Sequence, residues 1–200
     1  MNIKEDFIPI SQFCRPGLKR QNTLAVVWHW VANPGTSAQM NRNYFASLSS
    51  QSSTQPEPRY ASAHFVIGSS GDIIQCLPLD EIAYHVGSSK IDPASGKIYT
   101  DKARELFGIK YTTGIYTPNY MAIGIELCHQ DWMGKPTDKA YASAIELTAH
   151  LFREYNTTLT DPKRQMIRHY DVCGYKRCPL WYCDHIDEFE YAREEVRRKL

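Results

Sequence analysis

The side chains best suited to chemistry in this sequence are its histidines, its cysteines and one carboxylate set among small residues. Three of the six cysteines, Cys173, Cys178 and Cys183, stand close together in a region that His169 opens as His169-Tyr-Asp-Val-Cys-Gly-Tyr-Lys-Arg-Cys178-Pro179. Imidazole and thiolate are ligands that suit Zn(II), and a catalytic zinc uses three protein ligands so that a fourth position can hold water. His29 lies far upstream and is a further candidate ligand. Spacing alone leaves the alternatives open. A lone histidine is more often packed or solvated than metal-bound, and the cysteines could be buried thiols or a structural zinc site of their own. Their four-residue gaps are wider than the usual knuckle spacing and lack a matching second pair, which weakens that last reading. The carboxylate is Glu126. In Met121-Ala-Ile-Gly-Ile-Glu-Leu-Cys128, Met121, Ile123, Ile125 and Leu127 alternate onto one face, and Glu126 shares the other with Ala122 and Gly124.

Several elements must position these groups. Leu24-Ala-Val-Val-Trp28 is an apolar, β-branched run stopped by Asn33-Pro34-Gly35, which predicts a buried strand with His29 at its exit. Met40, Tyr44, Phe45 and Leu48 fall at helical spacing within a helix from Ser37 to Leu48. His64 to Ile67 and Ile73 to Leu77 flank Ser69-Ser-Gly-Asp72, a hairpin signal. Asp101 to Phe107 reads as a short helix inside a long surface loop, 88–119. Thr137-Asp138 starts an amphipathic helix ending near Asn156, Met166 to Tyr170 reads as a short strand, and a charged helix runs on from Asp184. Strands and helices mixed in this order predict an α/β fold, a central mixed β-sheet flanked by helices on both faces.

Composition sets the outer bounds. A chain of 200 residues, 42% hydrophobic and 22% charged, matches one soluble globular domain. The net charge is +1, from 23 basic and 22 acidic residues, so no global field draws the protein to nucleic acid or an anionic membrane. Acidic residues and a proline interrupt the N-terminal stretch where a secretory signal needs an apolar core, and no segment reaches transmembrane length. No signal peptide is therefore expected, nor any integral membrane association; synthesis in the cytoplasm follows, with the cysteines as reduced thiols.

A family resemblance narrows these readings. Val26-Val-Trp-His29-Trp-Val-Ala-Asn33, Ser62-Ala-His64-Phe-Val-Ile67, Gln75-Cys-Leu-Pro-Leu79, His85-Val-Gly87, Ile123-Gly-Ile-Glu126 and Lys176-Arg-Cys178-Pro179 resemble, in order, the motifs of type-2 N-acetylmuramoyl-L-alanine amidases. That superfamily includes phage endolysins, bacterial autolysins and animal peptidoglycan-recognition proteins, and the likeness spans about residues 5 to 190. It implies one catalytic domain with zinc held by His29, His169 and Cys178. The implied reaction is hydrolysis of the amide between N-acetylmuramic acid and the L-alanine of the peptidoglycan stem. Glu126 resembles the endolysin glutamate that serves as base, and Lys176 the lysine that stabilises the oxyanion. His64 and His85 are expected in the substrate groove. Some members place a tyrosine immediately before the histidine matched by His64; here Ala63 stands there, which shifts the catalytic load onto Glu126 and Lys176. His129, His150 and His185 need no metal role.

Family members that have lost the last thiolate typically bind peptidoglycan without cutting it, so a recognition module is the alternative; Cys178 favours the enzyme. The absence of an export signal suits a phage endolysin, with an autolysin as runner-up. A monomer is expected, with bacterial peptidoglycan as partner, action on the cell wall after release by lysis or non-classical export, and no wall-binding domain within these 200 residues. The 88–119 loop is expected to border the groove and contribute to specificity.

Overall fold

The protein is described from a computed structural model covering residues 1–112 and 117–200. Six strands, β1 (Ile3–Glu5), β2 (Ala25–Trp30), β3 (Phe65–Ile67), β4 (Ile73–Gln75), β5 (Ala122–Leu127) and β6 (Met166–Arg168), form one sheet in the order β1-β4-β3-β5-β2-β6. The β3–β4 hairpin is antiparallel and the other pairings are parallel, so the sheet is mixed, as the sequence predicts. Parallel neighbours need crossovers. Helices α1 (Ala38–Ser47), α2 (Asp101–Phe107) and α3 (Asp138–Glu154) lie in those connections. Each begins at a hydroxyl cap: the side chains of Ser37, Thr100 and Thr137 accept from the backbone N–H of Met40, Ala103 and Ala140.

Strand alternation divides the core. Val26 and Trp28 of β2, with Ile123, Ile125 and Leu127 of β5, pack against α3 and the last long helix, α7 (Ile186–Arg198). The Trp28 indole N–H donates to Thr148 on α3 at 2.9 Å. On the opposite face, Phe45 of α1 joins Val66 and Ile74, while Ala103 and Phe107 of α2 join Ala25, Val27 and Ile167. The groups that could do chemistry emerge on this second face.

Several features depart from the sequence reading. The strand expected to reach Tyr170 ends at Arg168, and His169 opens a helical turn, α5 (His169–Val172). Asp171 causes the change by accepting the backbone N–H of Arg168 at 2.9 Å, which caps the turn. Met121 precedes β5 and packs with Ala122 rather than with Ile123 and Ile125. Two short helices, α4 (Pro162–Gln165) and α6 (Leu180–Asp184), precede β6 and α7. The 88–119 stretch is in part core, with Tyr99, Ala103 and Phe107 buried; residues 113–116 of the expected loop lie outside the described residues.

Candidate metal centre and groove

Strands β5, β2 and β6 are adjacent and parallel, so their C-terminal ends lie side by side. Open α/β sheets carry ligands at this edge. His29 is the register partner of Glu126, and His169 follows Arg168, which is paired with Trp28. His29 Nδ1 lies 3.1 Å from His169 Nδ1 and 3.6 Å from Cys178 Sγ. The ligand atoms of the three residues fall within 4.8 Å of one another. The backbone N–H of Trp30 donates to the Cys178 sulfur.

This donor set fits zinc. Burial, with the neighbouring histidines and Lys176 adding to it, holds His29 and His169 well below their ordinary pKa, so both rings are neutral and offer lone pairs. Burial also pushes the Cys178 thiol up; a metal would displace that proton and hold the thiolate. His169 Nε2 is buried without a hydrogen-bond partner among the described residues. The reading in which Cys173, Cys178 and Cys183 form their own zinc site gains no support, because the candidate cluster contains Cys178 with two histidines, while Cys173 points its thiol at the Val86 carbonyl.

The cluster opens into a cavity of about 970 Å³ whose lining includes Glu126, Lys176, Tyr44, Arg59, Tyr60 and Tyr84. Arg59 lies over the Tyr44 ring, 5.6 Å from its centroid. Burial raises the Glu126 carboxyl to about 8, partly offset by the Lys176 charge, and its Oε2 has no hydrogen-bond partner among the described residues. The Lys176 side chain makes no salt bridge there. Ala63 is fully buried in the core beside α1 and adds no polar group.

The two histidines expected in the groove separate. His64 is fully buried, its Nδ1 accepting the Gly124 N–H at 3.1 Å and its Nε2 3.0 Å from the Glu81 carbonyl. With no exposed atom and no spare nitrogen, it tethers β5 to the segment after β4 and does not line the groove. His85 does line it, 8% exposed, yet both its nitrogens are engaged by protein. Burial drives its pKa down to about 3. Asn119, unmarked in the sequence reading, is buried and gathers the backbone N–H groups of His85, Val86 and Gly87 on its Oδ1 at 3.2, 2.9 and 3.1 Å. The isolated Gly124, where a Cβ would meet the His85 ring, is the sequence signal for the close approach of that histidine to β5.

The mixed sheet thus carries a two-histidine, one-cysteine cluster that opens into a groove. Residues 19–181 match the N-acetylmuramoyl-L-alanine amidase family, and the chain belongs to it. It is 29% identical over 195 residues to the N-acetylmuramoyl-L-alanine amidase BlyA of Bacillus subtilis (strain 168), covering 97% of this chain and 46% of that protein. A probable N-acetylmuramoyl-L-alanine amidase of Bacillus licheniformis is 28% identical, covering 98% and 47%. The chain thus spans about half the length of these relatives. Among solved structures, the catalytic domain of XlyA superposes with a TM-score of 0.65 at 26% identity, covering 96% of this chain and 99% of that one. PlyL shares the fold at 16% identity, with a TM-score of 0.66 over 98% and 97% of the two chains.

Proposed function

We propose that this chain is a zinc-dependent amidase that cleaves the bond between N-acetylmuramic acid and L-alanine in peptidoglycan. The observation that carries this reading is the convergence of His29, His169 and Cys178 beside Glu126 and Lys176 in one groove, in a chain of the amidase family. Bound there, zinc supplies a Lewis acid that polarises a carbonyl and eases deprotonation of water.

The protein's own groups supply the rest. Glu126 takes a proton from the attacking water and returns it to the leaving nitrogen of L-alanine, which needs a carboxyl able to hold a proton near neutrality. Its elevated pKa suits that exchange. Lys176, two residues before Cys178, places an ammonium against the carbonyl oxygen as negative charge develops. The groove, whose lining includes Tyr44, Tyr60 and Tyr84, offers aromatic surface to glycan and stem peptide. The setting we favour is a phage endolysin acting on the bacterial wall.

Purified peptidoglycan incubated with the protein should yield new N-terminal alanine, and a strong chelator should stop it. Glu126→Gln should retain zinc and lower turnover by roughly 10²–10⁴-fold. Cys178→Ser should lose both zinc and activity. Muropeptide binding without new alanine termini would replace the enzyme with a recognition module.

A further inference from the structure

We infer that His85 is a positioning residue for the metal centre: by accepting the Nε2 proton of His29, it fixes the tautomer in which the His29 Nδ1 lone pair faces His169 and Cys178. This inference rests on the zinc reading above and assigns a role to a side chain which that reading leaves idle.

The tautomer follows from the acceptors. His85 Nε2 lies 3.3 Å from the carbonyl oxygen of Ala122, which can only accept, so Nε2 carries the ring's single proton. His85 Nδ1 is then a bare acceptor. It lies 3.0 Å from His29 Nε2, which must donate. A neutral His29 has no second proton, and its Nδ1, 3.1 Å from His169 Nδ1 and 3.6 Å from Cys178 Sγ, is left free to ligate. The chain from β5 carbonyl to His85 to His29 leaves only one protonation pattern in which every contact is made. Metal-bound histidines commonly have their second nitrogen held in this way, and loss of the partner typically costs about 10–100-fold in metal affinity.

Two further features are built around the ring. A Cβ at Gly124 would come within 2.6 Å of His85 Cγ and Nδ1, so at that point of β5 only glycine admits the imidazole. Asn119 Oδ1 fixes the His85 backbone from the other side. With both nitrogens occupied, His85 has no polar atom left for substrate, and it acts through His29.

The test combines long-range ¹⁵N–¹H spectra of the histidine rings with zinc affinity from chelator competition. Metal-free wild-type protein should show His29 protonated at Nε2. A His29 protonated at Nδ1 would overturn the inference without any variant. His85→Leu should bind zinc about 10–100-fold more weakly and show a mixture of His29 tautomers. In His85→Asn, the side-chain oxygen can occupy the acceptor position and should restore affinity to within about threefold. Gly124→Ala, which displaces the ring while keeping the imidazole, should weaken zinc binding as His85→Leu does. Parental affinity and a single Nε2–H tautomer in His85→Leu would refute the role. Failure of the wild type to bind zinc would instead refute the metal-centre reading, while the tautomer measurement still judges the His29–His85 pair.

Discussion

Glu126 and the histidines around it answer burial in opposite ways, and the difference gives a measurable signature. A buried carboxyl holds its proton, whereas a buried imidazole sheds it. Glu126 rises from an ordinary 4.5 to about 8; His29, His64, His85 and His169 fall below 6.5. The histidine contributions to stability are complete above pH 6.5 and are lost as pH falls. The Glu126 contribution is complete below 4.5 and is lost as pH rises through about 8. Between about pH 6.5 and 8 only the Glu126 slope remains among these five groups, so metal-free protein should lose up to about 2 kcal/mol across that interval. Glu126→Gln should flatten this decline in urea titrations at each pH. An unchanged slope would show that the carboxyl is ionised in the metal-free fold. At this scale the sequence marked the candidate residues by type, but His64 and His85 looked alike in it. Their partners, Gly124 and Glu81 for His64 and His29 and Ala122 for His85, separate a core tether from a group beside the candidate metal centre.

The junction of β6 and α5 shows how one element's start is set by charge rather than pattern. Asp171 receives Arg168 at 2.9 and 3.1 Å, with Lys102 at 3.3 Å and Arg193 at 3.9 Å. Burial pushes the Asp171 carboxyl up, and the Arg168 hydrogen bonds with the Lys102 charge outweigh it and bring the pKa down to about 2. Arg168 in turn donates to the Tyr182 carbonyl and Arg193 to that of Met166, so this network fixes the turn that presents His169. Asp171→Ala would leave buried cations uncompensated and should destabilise the protein by about 3 kcal/mol. A depressed carboxyl pKa stabilises above its unfolded value, so the Asp171 contribution, roughly 2 kcal/mol, should disappear between about pH 4 and pH 2 and be missing in Asp171→Asn. The long periodic elements β2, β5, α1, α3 and α7 were legible because their apolar residues repeat at strand or helix spacing. This junction was not, since a capping carboxylate and its cations leave no hydrophobic period. β1 escaped for a related reason: Ile3-Lys4-Glu5 is an edge strand with a single inward apolar side chain.

Across the molecule, the sheet order places the candidate ligands at an edge. Among the described residues β6 is a three-residue outer strand paired only to β2, and a metal shared by His29 and His169 would bind that edge to its neighbour a second time. Zinc removal should therefore lower the melting temperature and speed amide exchange in β6 and α5 more than in β3 and β5. Free zinc at 100 times its dissociation constant corresponds to about 2.7 kcal/mol of added stability. Equal exchange in both regions would mean that the metal does not brace the edge. The same strand order has a consequence for biosynthesis. His29 and Glu126 emerge from the ribosome well before His169 and Cys178, so β2 can pair with β5 while two of the three candidate ligands are still unmade. A growing chain can thus hold five of the sheet's strands with the candidate cluster incomplete, and the cluster closes only when β6, the turn that carries His169 and the later Cys178 reach the folded body.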